Sequence, residues 1–96
     1  MKKLIIALAV LAATTTAQAE TICETYSGLA ETIMDGRQTG TSMATMIAIV
    51  SDDAYATHIV RTAYEQPRWH TDESQQRAIE GFRDEVYLEC YKAVEK

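Results

Sequence analysis

Apolar residues recur along most of the chain with the three-to-four-residue spacing of an α-helix, and no segment alternates apolar and polar residues as a β-strand does. The first stripe predicts a helix from about Thr21 to Arg37, which Gly40 would end. The apolar lines of the successive stripes are Ile22, Tyr26, Leu29 and Ile33; Met43, Met46, Ile47 and Val50; Tyr55, Ile59 and Ala63; and Ile79, Phe82, Val86 and Cys90. The pattern predicts an all-α fold, a compact bundle of about four helices of which two are short.

Residues that favour helix ends separate these predicted helices. The third helix ends at the single proline of the chain, Pro67, because the residue before a proline is pushed out of helical geometry. Side chains that accept hydrogen bonds from free backbone N–H groups stand at the start of each later helix. These predicted caps are Thr41 or Ser42, Asp52 or Asp53, and Thr71.

The first 19 residues have a different pattern, in which positive charge precedes an unbroken apolar run. Two lysines are followed by the ten apolar residues of 4–13, and Ala17-Gln18-Ala19 supplies a small-x-small site. This is typical of a cleaved secretory signal peptide, so we expect cleavage after Ala19 and a single α-helical domain of residues 20–96. Ten residues of helix span about 15 Å, well short of a bilayer core, so we expect no stable membrane insertion.

Removal of this leader would make the protein more acidic. The full sequence has 14 acidic and 9 basic residues, a net charge of −5, and loss of Lys2 and Lys3 leaves 7 basic residues and a net charge of −7. Nucleic acids and anionic lipid headgroups attract basic surfaces, so we expect neither as a partner. Long-range attraction instead favours a protein with a basic surface, unless the acidity serves only to keep the domain soluble.

Cys23 and Cys90 are the only cysteines, and they lie 67 positions apart near the two ends of the predicted mature domain. An even number of cysteines in a small exported chain predicts a disulfide. A domain of this size buries a small core and is marginal without such a cross-link. A zinc site would need more ligands at short spacing than His58 and His70 supply, so we expect no metal.

The segment from Tyr64 to Thr71, with the sequence YEQPRWHT, connects the third and fourth predicted helices and contains the single tryptophan. The sequence favours an arrangement in which Trp69 folds back over the core, as a hydrophobic staple does before a helix cap. The alternative is an exposed contact patch of Arg68, Trp69 and His70, because tryptophan and arginine are common anchors of protein interfaces. These three residues are the candidate partner-binding residues.

No stretch of the sequence has the residue spacing of an established catalytic or cofactor motif. The run from Gly36 to Gly40 lacks the lysine of a phosphate-binding loop, and Ser42 lacks the flanking glycines of a serine nucleophile. Glu31 and Asp35 share a helix face, which is more typical of a solvated surface than of a paired acid and base. We therefore expect a protein without catalytic activity and without a cofactor.

Several stretches of the chain occur in an order that is similar to that of a known group of proteins. A cysteine near the mature N terminus is followed by AETIMDGRQTGTSM (30–43), AYEQPR (63–68) and AIEGFRDEVYLECYK (78–92). In this order the chain resembles a group of small, signal-bearing proteins of tailed phages, prophages and their proteobacterial hosts. The resemblance implies a periplasmic location and assigns neither an activity nor a functional residue.

Two characterised families are similar in outline only. Spackle-type phage proteins, which block lysozyme in the periplasm, are similar in size, leader, helicity and cysteine usage, and acid-stress chaperones of the HdeA type are also small, helical and singly bridged. The first similarity implies a binding protein, such as an inhibitor or immunity factor acting on a cell-wall hydrolase. The second implies a chaperone that loosens when its carboxylates are protonated.

Overall fold

The computed structural model describes the backbone of residues 2–95 and the side chains of residues 21–95. Its α-helices are α1 (Lys2–Thr39), α2 (Met43–Val50), α3 (Ala54–Glu65) and α4 (Asp72–Glu95), and no strand occurs among these residues. The predicted all-α fold, with two of its four helices short, is confirmed. The predicted signal peptide of residues 1–19 and its cleavage site lie outside the described side chains.

The first helix is longer than the amphipathic stripe suggested, because it begins at Lys2 and not near Thr21. The residues between these points are rich in alanine and leucine, which favour helices, and contain no glycine or proline that would end one. The start of the amphipathic pattern is therefore not the start of the helix. Along the part of the chain whose side chains are described, no helix is long and apolar enough to cross a membrane.

Helix α1 is the axis on which the other helices are assembled. α4 packs antiparallel along it, α3 packs beside it, and α2 packs mainly against α3. The backbones of α3 and α4 approach each other less closely than each approaches α1, although His58 of α3 lies 3.7 Å from Glu89 of α4. All four helices contribute to one apolar core, which consists of Ala30, Ile33, Met34, Met46, Val50, Ala56, Ile59, Val60, Ala63, Ile79, Phe82 and Val86.

The line predicted for α1 is confirmed in part. Ile33 is buried, Tyr26 and Leu29 are partly buried against the core, and Ile22 is 46% exposed. The other buried positions of α1 include Cys23, Ser27, Ala30, Met34 and Gln38, which lie beside this line. The lines predicted for α3 and α4 are confirmed at Ile59, Ala63, Ile79, Phe82, Val86 and Cys90.

A disulfide joins Cys23 of α1 to Cys90 of α4, as predicted, and closes a sequence separation of 67 residues. The two Cα atoms are 5.5 Å apart, a normal spacing for this bond, and both side chains are buried. The bond fixes the antiparallel alignment of the two longest helices. It also restricts the unfolded chain to conformations in which these two positions stay together.

The predicted caps form at the starts of the later helices. The Ser42 hydroxyl accepts a hydrogen bond from the Thr45 N–H at 3.2 Å, and the Thr71 hydroxyl accepts one from the Ser74 N–H at 3.1 Å. At the end of α1, Gly40 has a φ of 98°, a conformation that side chains with a Cβ atom disfavour. The ends of the helices are therefore set locally, close to the positions that the sequence indicated.

Asp53 caps α3 and also links it to α1. One carboxylate oxygen accepts hydrogen bonds from the N–H groups of Tyr55 and Ala56 at 2.9 and 3.1 Å, and the other accepts one from the Tyr26 hydroxyl at 2.9 Å. The bond from Ala56, followed by the bond from Tyr26, lowers the pKa of Asp53 below its ordinary value of 3.8. The bond to Asp53 likewise raises the pKa of Tyr26, so the folded protein favours a charged aspartate and a neutral tyrosine.

Reduction of the disulfide should lower the free energy of unfolding by roughly 4 kcal/mol, because it releases a long closed loop. For a domain of this size the loss is a large part of the total stability. Urea unfolding followed by circular dichroism, with and without reductant, measures the difference. A double variant with Cys23→Ser and Cys90→Ser should match the reduced protein, whereas equal stability of the oxidised and reduced forms would show that the bridge does not hold the fold.

Candidate functional site

The loop of residues 66–71, between α3 and α4, is bonded to the end of α1 through one buried residue. Gln38 is 1% exposed. Its side-chain amide donates to the Pro67 carbonyl oxygen at 3.0 Å, and its side-chain oxygen accepts the Trp69 backbone N–H at 2.7 Å. Its own backbone carbonyl oxygen accepts the Arg68 Nε–H at 3.0 Å. A single residue of α1 thus holds three successive residues of the loop.

Two arginines satisfy carbonyl groups that the helix ends leave without partners. At the end of α1, the Arg68 Nε–H donates to the Gln38 carbonyl oxygen. The Arg68 guanidinium also lies against Gly40, where an added Cβ atom would meet Nη2 at 3.1 Å. Arg37 satisfies a carbonyl group at the end of α3, because its Nε and Nη2 donate to the Gln66 carbonyl oxygen at 3.2 and 3.0 Å. Arg68, a candidate binding residue from the sequence, is therefore at least partly a structural residue.

The backbone of Trp69 is fixed on both sides. Its N–H donates to Gln38, and its carbonyl oxygen accepts the Gln75 side-chain amide at 2.8 Å. The residue is nevertheless 46% exposed, so it does not fold back over the core in the arrangement that the sequence favoured. The hydrogen bonds hold its backbone in place while much of the indole ring remains at the surface. Such a residue loses little conformational freedom on binding, which suits an interface anchor.

A groove of about 280 Å³ opens beside Trp69, between the loop and α4. Met34 and Phe82, both almost fully buried, supply its base, and Pro67 and Ala78 extend its apolar lining. The groove is thus lined by α1, by the loop and by α4. Its volume lies just below the range of about 300–1,000 Å³ that is typical of pockets for a free ligand, and it suits a side chain of another protein.

A second hollow of about 400 Å³ adjoins the groove. Trp69, Arg77 and Ala78 line both depressions, so the indole ring stands at the boundary between them. A partner that covers Trp69 would therefore have apolar contacts on two sides of the ring. Its position between the two depressions is a second reason to place Trp69 at the centre of the site.

Helix α4 presents Arg77, Gly81 and Glu85 along the groove, each one helical turn from the next. Gly81 lies in the middle of the helix, where glycine is less favourable than alanine by about 1 kcal/mol. Packing does not require a glycine there, because an added Cβ atom meets no neighbouring atom within 4 Å. The effect of Gly81 is to keep the groove open along α4.

The two charged residues of the groove differ in their partners. Arg77 pairs with Glu73 at 3.3 Å, although both side chains are more than two-thirds exposed and such pairs are weak. Glu85 has no basic group within 4 Å among the described residues. The groove therefore has one carboxylate without a counter-ion.

The other candidates from the sequence lie away from this groove. His70 is exposed and does not line it. Glu31 and Asp35 border a different hollow between α1 and α4, where Glu31 lies 3.9 Å from Arg83. No group of three or more histidine, cysteine, aspartate or glutamate side chains in the described part of the chain could hold a metal ion. The candidate site is accordingly Trp69 with the groove beside it.

No family model, no curated protein and no solved structure matches this chain. A functional conclusion therefore depends on the residues and contacts of the chain itself.

Sequence reasoning found Trp69 but missed the residues that position it. Gln38 carries a signal, because it continues the buried line of α1, and a buried side-chain amide needs hydrogen-bond partners. Gly81 carries a weaker signal, because a glycine inside a helix is unfavourable and nothing in the neighbouring sequence explains it. The pairing of Gln38 with Trp69 spans 31 residues, and nothing in the linear pattern indicates it.

Gln38→Met should free the loop while it keeps the volume of the buried side chain. The variant leaves the Pro67 carbonyl and the Trp69 N–H without partners, which should cost about 2 kcal/mol of stability. Hydrogen exchange of the Trp69 amide, followed by NMR, should become markedly faster than in the wild type. Gln76→Met makes the same change at an exposed position of α4 and should alter neither quantity. Unchanged exchange in Gln38→Met would mean that Gln38 does not hold the loop.

Proposed function

We propose that this chain is a small exported protein of the periplasm that acts by binding another protein of the cell envelope, and not by catalysis. The observation that carries the proposal is the exposed Trp69 on a backbone fixed by Gln38 and Gln75. A tryptophan beside an apolar groove contributes strongly to binding once a partner excludes water from both. The predicted leader and the disulfide support the location, because such bonds persist in oxidising compartments.

The proposed role is that of an inhibitor or immunity factor acting on an envelope protein such as a cell-wall hydrolase. The outline similarity to spackle-type proteins motivates this choice of target. The net charge of −7 expected after removal of Lys2 and Lys3 supports a partner with a basic surface, because long-range attraction speeds the encounter of opposite charges. Trp69 would then supply the contact that makes the encounter persist.

Affinity capture from periplasmic extract tests this role, with the wild type and two variants as bait. Trp69→Ala should weaken retention of the partner by about tenfold or more, as expected for an interface anchor. Tyr91→Ala is the matched control, because Tyr91 is 45% exposed and Trp69 is 46% exposed. The captured protein should also lose enzymatic activity when the wild type is added. If nothing is retained, or if both variants behave alike, the proposed function is wrong.

A second function, that of a pH-responsive chaperone of the HdeA type, is favoured by one observation. The cap of α3 and its link to α1 depend on the Asp53 carboxylate, whose pKa the bonds from Ala56 and Tyr26 lower. Because the folded pKa is lowered, the stability that Asp53 contributes is complete above the ordinary value of 3.8 and is lost as the pH falls through the folded value. Acid would therefore loosen the start of α3.

Asp53→Asn isolates this effect, because asparagine also caps helices but does not titrate. The melting temperature of the wild type should exceed that of the variant by a few degrees near neutral pH, and the difference should shrink as the pH falls through the lowered pKa of Asp53. Circular dichroism measures it, and a light-scattering assay with an aggregation-prone client at the same pH tests chaperone action. A client that aggregates equally with and without the protein would exclude this second function.

A further inference from the structure

We propose that the groove beside Trp69 receives a segment of the partner protein in which an aromatic or branched aliphatic side chain is adjacent to a lysine or arginine. The inference depends on the binding function proposed above and specifies the chemistry that the partner presents to this site. It is carried by the shape of the groove, by Gly81 and by the unpaired charge of Glu85.

The apolar part of the segment is set by the lining of the groove. Met34 and Phe82 lie at its base, and Trp69 forms one wall. A large apolar side chain that enters from solvent would bury its own surface together with that of the indole ring. Burial of apolar surface is favourable in proportion to the area removed from water, so a single well-fitting side chain contributes substantially to binding.

Gly81 determines how deep that side chain can reach. The position is exposed and bordered by open space, so the helix has room for a larger residue there. Most larger residues also favour a helix more than glycine does. A leucine there would instead occupy the groove from the side of α4. Gly28 of α1 offers a direct comparison, because a Cβ atom added there also meets nothing within 4 Å while the residue borders a different hollow.

The basic part of the segment follows from the charges around the groove. Glu85 lies one helical turn beyond Gly81 and has no basic partner among the described residues, whereas Arg77, one turn before Gly81, is already paired with Glu73. Together with the Glu73 that pairs with Arg77, the charges around the groove are one positive and two negative. A lysine or arginine next to the inserted apolar side chain would reach Glu85, and the acidity of the whole chain would add long-range attraction.

Two other occupants fit these charges less well. An acidic segment would have to displace Glu73 from Arg77 and would face the unpaired Glu85. A second copy of this chain carries the same negative net charge, which opposes self-association. Both occupants give distinct outcomes in the experiment below.

A random short-peptide library, selected for binding to the folded, oxidised protein, tests the inference. Selected peptides should share an aromatic or branched aliphatic residue adjacent to lysine or arginine, and they should shift the fluorescence of Trp69, the single tryptophan of the chain. Gly81→Leu should weaken these peptides by at least about tenfold, because the side chain fills the groove. Gly28→Leu, the matched control, should leave their affinity unchanged.

Charge reversal tests the basic residue of the peptide separately. Peptides selected for binding to the Glu85→Lys variant should carry acidic residues in place of the basic ones. Glu80→Lys makes the same change on α4 outside the groove, and peptides selected on it should keep the wild-type pattern. Absence of any selected peptide, or a basic preference that persists in Glu85→Lys, would overturn the inference. So would selection of acidic peptides by the wild type, or a concentration-dependent dimer that Gly81→Leu abolishes.

The two proposals fail in different ways. If the envelope protein captured through Trp69 binds Gly81→Leu and Glu85→Lys as tightly as the wild type, the groove inference is wrong and the binding function stands. If no captured protein depends on Trp69, the binding function itself is wrong.

Discussion

The disulfide between Cys23 and Cys90 holds α1 and α4 antiparallel at one end of their contact, and the other elements are arranged around this pair. At the opposite end, Gln38 of α1 and Gln75 of α4 both bond to the backbone of Trp69. One end of the helix pair is thus fixed by a covalent bond and the other by hydrogen bonds through the connecting loop. A small core suffices between them because neither end is free to separate.

The loop that results is unusual in how its polar groups are satisfied. A glutamine buried in the core would be unfavourable if any part of its amide lacked a partner. Here the Gln38 side-chain N–H donates to the Pro67 carbonyl oxygen, and the Gln38 side-chain oxygen accepts the Trp69 N–H. The buried amide therefore determines one loop conformation. Arg37 and Arg68 add bonds to the carbonyl groups at the ends of α3 and α1. The arginines thus complete the helix ends next to the bonds from Gln38 and Gln75 that hold the Trp69 backbone.

The bundle has different chemistry at its two ends. The link between the start of α3 and Tyr26 of α1 depends on the Asp53 carboxylate, which acid neutralises. The loop end depends on neutral amides and on arginines, whose charge does not change in the acid range. Tyr26 and Gln38 are separated along α1 by about 18 Å. Protonation of Asp53 removes bonds at one end of the bundle only, so the acid-sensitive link and the proposed binding site around Trp69 lie in separate parts of the molecule.

Local chemistry along the chain was sufficient to predict the helical class, the cap at Thr71, the end of α3 before Pro67 and the disulfide. It also narrowed the caps of α2 and α3 to two adjacent residues each, of which Ser42 and Asp53 form the caps. Each depends on residues close in sequence or, for the cysteines, on their number alone. The exposure of Trp69, the buried role of Gln38 and the groove at Gly81 were decided only by the tertiary structure. These features arise where α1, the loop and α4 meet. The hydrogen bonds there join residues about 30 positions apart, and such bonds form only when the packing of whole helices brings the residues together. A linear pattern records which face of a helix is apolar, whereas the burial of Gln38 and the exposure of Ile22 depend on the helices that pack against α1.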